Sequence, residues 1–530
     1  MAKSELRRNT LLNAHRRSAS AGCKPCCFLE TTPLKGNPTV PFFYLWRALA
    51  DITSFDSFKS AQARLSDYLT PSVRLGVTGL SRAGKTVFIT ALVRNLVTGG
   101  RLPFSVADAE GRIIRAYLEP QPDDSVPRFD YEAHLDDLTG DPPVWPDSTR
   151  RISELRVTIE YRSENPWKRA LGLSKLHLDI VDYPGEWLID LPLLDMSYEQ
   201  FSRDALALAN DPARALLAKP WLDFLAGTDP GAAENEQIAL LGTKLYVDYL
   251  RALRTSGAQA TLPPGRFLLP GDLEGSPVLT FFPLPPISGA TPQRGSLGAM
   301  MARRFESYKA QVVRPFFFEH FSRLNRQIVL VDVLGALDHG SGAVAELERA
   351  MSAVLKVFRP GANAWWSMIV GRRIDKVLFA ATKADHLHAA HHDRLSAVLK
   401  RIVDDALIRA ETEGAGVNAI AMSAVRATRE TEIKSGGETL PCLKGVPLKG
   451  ERIGGIEFNG TQEAAIFPGD LPADPAEALD RARTAKPGSL ALVRFRPPKQ
   501  PPRQPGVKPP ALPHIRLDRA LDFLIADYLS

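Results

Sequence analysis

Apolar and polar positions alternate along this chain in two rhythms. Residues 42–70 are apolar at helical intervals and end at Thr70-Pro71, where proline disfavours helix in its predecessor. Val73-Arg74-Leu75-Gly76-Val77-Thr78 then reads as a strand that runs into Gly79. From Lys85 the spacing is helical through about Val97, stopped by Gly99-Gly100. This is the order strand, glycine loop, helix. Further on, Ile152 to Tyr161 and Leu176 to Asp182 alternate with period two, separated by polar residues and Gly172, and predict neighbouring antiparallel strands.

Residues 190–325 are helical in spacing, with candidate helices at 197–210, 213–227, 235–254 and 300–324, broken by a Pro/Gly-rich stretch near 263–295. The pattern predicts a helical insertion over 191–325, dividing a core into 46–190 and 326–430. Strands and helices alternate again at Ile328 to Val333, 343–358, Val377 to Ala381, 391–411 and Asn418 to Met422. That rhythm implies a mostly parallel sheet covered on both faces. Residues 431–495, rich in glycine with short apolar runs, predict a small β-rich insertion. Residues 496–513 are a proline-rich, extended linker, and 514–530 place Leu517, Ala520, Leu521, Leu524 and Tyr528 on one face of a final helix.

At 530 residues, 44% hydrophobic and 24% charged, the chain is ordinary globular material, with room for three or four units or one domain with large insertions. No stretch approaches the roughly 18 uncharged apolar residues of a membrane-spanning helix, so a soluble, cytoplasmic protein is expected. The net charge of +6 is concentrated. Residues 1–40 hold seven basic side chains against Glu5 and Glu30, and 496–516 hold Arg496, Lys499, Arg503, Lys508 and Arg516 with no acid; the rest is slightly acidic. This fits tethering to an anionic membrane surface or a partner better than a nucleic-acid groove. Solvated tails with no specific ligand are the bland alternative. Cys23, Cys26 and Cys27 cluster, but a zinc site wants a fourth ligand and His15 is poorly spaced. The first 20 residues lack the apolar core of a secretory signal, and 1–45 read as a disordered basic extension.

The chemistry is densest at Gly79-Leu80-Ser81-Arg82-Ala83-Gly84-Lys85-Thr86, which fits G-x-x-x-x-G-K-[ST] at every fixed position. At average glycine usage a chance match in a chain of this length has a probability of about 2%, and the strand before and helix after reduce it further. Backbone N–H groups from Gly79 to Val87 would cradle phosphates, Lys85 would reach the β/γ-phosphates, and Thr86 would ligate Mg²⁺. The metal-side carboxylate is expected at a neighbouring strand end. Asp182-Tyr183-Pro184-Gly185 has the D-x-x-G form, in which the Gly185 N–H would meet a γ-phosphate. Asp332-Val333-Leu334-Gly335 has it too. Asp182 is preferred because it follows the antiparallel pair, and Thr149 is the candidate first-switch threonine on Mg²⁺ and γ-phosphate.

An apolar strand ends in Thr382-Lys383-Ala384-Asp385. Asp385 could accept both N1–H and the N2 amino group of guanine, a pattern adenine lacks, while the Lys383 stem packs on the base. Ser423-Ala424-Val425 would add a backbone N–H for guanine O6. In this order behind a P-loop, the motifs favour GTP or GDP over ATP.

The stretch GVTGLSRAGKTVFITALVRNL, with DYPGEW, LVDVLGAL, ATKAD and the closing LPHIRLDRALDFL, resembles the YcjX family of bacterial stress-associated P-loop GTPases from about residue 48 onward. The resemblance implies a Ras-like α/β core, guanine nucleotide with Mg²⁺, a role in envelope stress, and an association with an inner-membrane YcjF-like protein, hence a peripheral inner-membrane location. Two departures from the commoner small-GTPase pattern bear on mechanism. Glu186 stands where many GTPases orient water with glutamine, so hydrolysis should be slow; Thr382 replaces the usual asparagine. Arg82 inside the loop could act as a built-in arginine finger or point to solvent. The alternatives to a switch GTPase are a nucleotide-stabilised scaffold with negligible turnover and an ATPase on the same loop.

Overall fold

The position of the glycine loop at the middle of the sheet's carboxyl edge follows from the address of one strand. In the computed structural model, Ser72–Gly79 (β1) lies in the middle of a seven-stranded sheet of order β2-β3-β4-β1-β5-β6-β7. The structure describes residues 70–530, apart from 80–81, 100–101, 103–104, 148–150, 167–173, 256–261, 286–292, 358–373, 413–414, 436–437, 486–487 and 502–508. The other strands are Ile113–Glu119 (β2), Ser153–Tyr161 (β3), Ser174–Asp182 (β4), Arg326–Val331 (β5), Lys376–Ala381 (β6) and Gly416–Ala421 (β7). Only β3 runs against the rest; β4, β1, β5, β6 and β7 are parallel neighbours. The fold is the mostly parallel α/β core expected from the sequence. The basic N-terminal segment, its cysteines and His15 lie outside the described residues.

Alternation along each strand feeds two cores, because successive side chains point to opposite faces. Ile328 and Leu330 of β5 join Leu75, Val77, Leu178 and Ile180 on one face, with Lys85–Thr98 (α1), Tyr131–Thr139 (α2) and Leu517–Ile525 (α12) contributing to the same core. Val329 and Val331 join Val377 and Phe379 on the other. Arg326, 2% exposed, fastens the C-terminus: its Nε donates to the Leu524 carbonyl at 2.9 Å and its Nη2 to Asp527 at 2.6 Å. The end of the proline-rich segment is fixed too, since the Asn95 side chain accepts from Leu512 N at 2.7 Å and donates to its carbonyl at 3.1 Å.

Between β4 and β5 the chain forms Tyr198–Ala209 (α3), Pro212–Ala226 (α4), Glu236–Thr255 (α5), Leu297–Tyr308 (α6) and Arg314–Glu319 (α7). Aromatic rings fill the space among them. Phe201 and Phe305 stack at 5.0 Å, Phe267 meets Phe281 edge-on at 4.9 Å, and Trp221 lies 4.8 Å from Tyr246. Such pairs add about 0.5–1.5 kcal/mol each beyond area burial, so these helices have a core of their own that is continuous with one face of the sheet. After β5 come Val333–His339 (α8), Ser341–Val357 (α9) and, between β6 and β7, His392–Thr412 (α10). The segment after β7 holds a three-stranded antiparallel sheet of Arg429–Ser435, Glu438–Gly445 and Ala464–Ile466, and also a helix, Pro475–Thr484 (α11), that the sequence pattern did not predict. Among the described residues no helix is long and apolar enough to cross a membrane.

Candidate functional site

The loop after β1 is shaped by two left-handed residues. Arg82 has φ 67° and Gly84 φ 87°; a Cβ on Gly84 would have open space, so glycine is needed for the backbone angle and not for room. Ala83 is buried and Arg82 exposed, while Leu80 and Ser81 lie outside the described residues. Lys85 folds back over the loop and donates from Nζ to the Gly79 carbonyl at 2.9 Å. Thr86, 5% exposed, donates to the Asp147 carbonyl at 3.3 Å, and Val87 is half-buried behind it. No acidic residue occupies the first turn of α1, and no side chain caps it. The helix therefore presents its positive end and its first N–H groups to the loop's mouth, the chemistry that holds an anion.

The two D-x-x-G carboxylates have different surroundings. Asp182, 1% exposed, ends β4 in register with Val77 of β1, which brings it to the same sheet edge as Thr86. Asp332 ends β5 on the other side of β1, and its carboxylate is engaged: it caps its own helix by accepting from Gly335 N at 3.0 Å and pairs with the Lys383 ammonium. Thr149 lies outside the described residues. Among the described residues before it, the Asp147 carbonyl accepts from the Thr86 hydroxyl, and the Trp145 indole N–H donates to the Phe495 carbonyl at 2.6 Å. Thr86 and Asp182 each carry the oxygen donors that a hard cation takes. Among the described residues no group of three or more His, Cys, Asp or Glu could hold a metal alone, and an ion shared with nucleotide phosphates requires no such group.

After Asp182 the chain enters a 3-10 helix, Gly185–Asp195, whose residues from Gly185 through Leu191 are all buried. Helices α5 and α6 and the loop at Gly265 grip it. Glu186, 4% exposed, lies 3.5 Å from the Arg254 guanidinium at the end of α5. The Arg266 guanidinium sits 3.2 Å from the centre of the Trp187 ring. Asp190 accepts from Gly265 N at 2.6 Å, from Arg266 N at 3.2 Å and from the Tyr308 hydroxyl at 2.5 Å. Complete burial nevertheless pushes its carboxyl up to about 6, and burial beside that carboxylate raises the Tyr308 phenol well above its ordinary range. A Cβ on Gly265 would stand 1.9 Å from the Glu186 carbonyl oxygen, so the loop touches the backbone of the segment itself. Sequence reasoning reached Glu186 but not Arg254, Arg266, Tyr308 or Asp190. Only Asp190 left a signal, as a lone carboxylate inside the apolar run Trp187 to Leu194.

On the other flank of the same edge, Thr382 donates from its N–H at 2.9 Å and its hydroxyl at 3.4 Å to the Val331 carbonyl. Lys383 turns the chain at φ 60° and its ammonium rests on Asp332. Asp385, 4% exposed, accepts from Ala427 N at 2.9 Å, and the Thr428 hydroxyl donates to the Asp385 carbonyl at 2.6 Å. Ser423 is buried and donates to the Val425 carbonyl at 3.0 Å; Ala424 is half-buried and Val425 buried. The loops after β1, β4, β6 and β7 thus share the carboxyl edge of one parallel sheet, where open α/β sheets bind ligands.

Comparison with known proteins gives this geometry a family. The profile of the YcjX-like family (DUF463) matches residues 73–529. The protein named Ras-like GTPase YcjX from Escherichia coli (strain K12) is 37% identical over 468 residues, covering 86% of this chain and 96% of that protein. The protein of the same name from Shewanella oneidensis (strain MR-1) is 31% identical over 503 residues, covering 91% of this chain and all of that protein.

Proposed function

This chain belongs to the YcjX-like family, and from that premise we propose that it binds guanine nucleotide and hydrolyses GTP to GDP with Mg²⁺, slowly, as a nucleotide-dependent switch. The observation that carries the reading is the stitch between the two base-side loops, in which Asp385 holds the Ala427 N–H at 2.9 Å beside Ser423-Ala424-Val425. A carboxylate and backbone donors held together in this way match the N1–H, N2 and O6 edge of guanine, and adenine offers none of that pattern.

In this reading Lys85 leaves the Gly79 carbonyl for the β/γ-phosphates, and the N–H groups from Gly79 through Val87 take the remaining oxygens. Thr86 and Asp182 hold the Mg²⁺, joined by Thr149. When bound, the ion would supply positive charge to offset that of the phosphates. Gly185 offers its N–H to the γ-phosphate, and exposed Arg82 is close enough in sequence to meet charge developing there. Glu186 is a poor substitute for a water-orienting glutamine, which keeps turnover slow. Its burial against Arg254 is the one feature that favours the scaffold reading. The stress-response role and an inner-membrane YcjF-like partner rest on the resemblance, and co-purification of the full chain from membranes tests the latter. The decisive assay is equilibrium binding of GTP, GDP and ATP in parallel, with phosphate release under the same conditions. Tighter binding of ATP than of GTP would discard the guanine reading; guanine binding without phosphate release would leave the scaffold.

A further inference from the structure

Glu186 follows the glycine that would face a γ-phosphate, and two negative groups there repel each other unless something neutralises one of them. Resting on the nucleotide reading above, we propose that Arg254, carried by the helical insertion, is the positioning residue that compensates Glu186 and so sets the preference of this site for GTP over GDP.

Three observations carry it. The pair spans 3.5 Å, and exposure is unequal: the Glu186 side chain is 5% exposed and that of Arg254 33%. The acid is sealed in protein, where a lone charge is costly, while its partner keeps an open side. The partner also comes from elsewhere in the chain. Arg254 stands in the last turn of α5, inside the insertion, while Glu186 belongs to the core segment. Finally, the position of the insertion relative to that segment is fixed by Asp190 on Gly265, Arg266 and Tyr308, and by the close approach of Gly265 to the Glu186 carbonyl. A cation delivered from a helical insertion to the segment that faces the γ-phosphate has the logic of an arginine supplied in cis. Here it acts through Glu186. A basic residue in the last turn of a helix is also favourable for the helix dipole alone, so the test must separate the two roles.

The experiment measures the affinities of GDP and of a non-hydrolysable GTP analogue, with Mg²⁺, for the full-length wild type, Arg254→Ala, Arg254→Lys, Glu186→Gln and the double variant. Thermal unfolding of each confirms the fold. Removing the guanidinium should lower the triphosphate/diphosphate affinity ratio about tenfold, the scale of one lost charge-assisted contact, with GDP affinity little changed. Arg254→Lys should recover part of the ratio. In the Glu186→Gln background the same arginine change should move the ratio less than about twofold, because a neutral side chain needs no counter-charge. Equal loss of both nucleotides, or a loss that persists in that background, overturns the inference while leaving the nucleotide reading intact. A wild type that binds neither nucleotide overturns both.

Discussion

Asp190 is the most sharply testable residue in the molecule, because its burial and its hydrogen bonds pull in opposite directions. Its carboxyl rises from 3.8 to about 6 in the folded protein, burial being the largest cause and the donors from Tyr308, Gly265 and Arg266 opposing it. The sign follows from proton linkage. A folded-state pKa above the unfolded one means the native state binds more protons across that window, so stability is fully present below about 4 and is lost as pH rises through about 6. At 1.36 kcal/mol per pKa unit the whole effect is about 3 kcal/mol, of which roughly 1.4 kcal/mol falls between pH 5 and pH 8. An asparagine side chain has the shape of the neutral acid and does not titrate. Asp190→Asn sacrifices one backbone N–H contact, about 1 kcal/mol, yet avoids the buried charge. Relative to wild type the variant should therefore gain about 1.4 kcal/mol between pH 5 and pH 8. Urea unfolding at both pH values, followed by far-UV circular dichroism, gives the difference directly. A difference that is flat with pH, or that runs the other way, would show that the three donors outweigh burial and that Asp190 is an ordinary ionised anchor.

Five other substitutions bear on the site. Lys85→Ala should weaken nucleotide binding by one to two decades, about 1.5–3 kcal/mol, with circular dichroism unchanged; wild-type affinity would remove the assigned loop. Asp385→Asn should move preference from GTP towards XTP in competition binding, because an amide suits the 2-oxo edge of xanthine, and an unmoved ratio would withdraw the guanine assignment. Asp182→Ala should abolish Mg²⁺-stimulated phosphate release. Asp332→Ala should instead lower stability by about 1 kcal/mol through loss of the α8 cap, read by urea unfolding, and the opposite pattern would exchange their roles. Gly265→Ala should destabilise by at least about 1–3 kcal/mol, since its methyl would meet a backbone oxygen that has nowhere to go; a neutral effect would mean the loop is free to retreat.

The parts legible in the sequence were those governed by local rules. Strands β1, β3, β4, β5, β6 and β7 were visible because a period-two pattern or a continuous apolar run reports burial directly. Strand β2 was not. Its Arg115, Tyr117 and Glu119 point to a charged surface, and the ladder is completed by partners such as Glu160, 2.6 Å from Arg115, that only the fold supplies. The helix α11 was hidden by the glycine-rich sequence around it. The same division runs through the site. Fixed-spacing motifs bring out Lys85, Asp182 and Asp385, and order along the chain favours Asp182 over the second D-x-x-G; that Asp332 caps α8 and pairs with Lys383 is visible only in the fold. No local pattern could show that Arg254, Gly265 and Tyr308 converge on Glu186 and Asp190, since the separations reach more than a hundred residues and the contacts are made by two ordinary helix side chains and one backbone N–H.

That convergence limits how the molecule can respond to a ligand. In a switch whose phosphate-sensing segment is exposed, the segment moves through solvent and its cost is mainly its own ordering. Here Gly185 through Leu191 are buried, and residues of the helices between β4 and β5 pack on them. Three donors from two parts of the insertion end on one carboxylate, and the loop at Gly265 lies against the backbone of Glu186 without space for a methyl group. Close-packed groups of this kind do not deform gradually; they keep one arrangement or exchange it for another as a unit. Any displacement of Glu186 therefore displaces the Gly265 loop, and through Tyr308 the end of α6. On the proposed nucleotide reading, the free energy that a γ-phosphate contributes at Gly185 would have to exceed the cost of moving that whole unit.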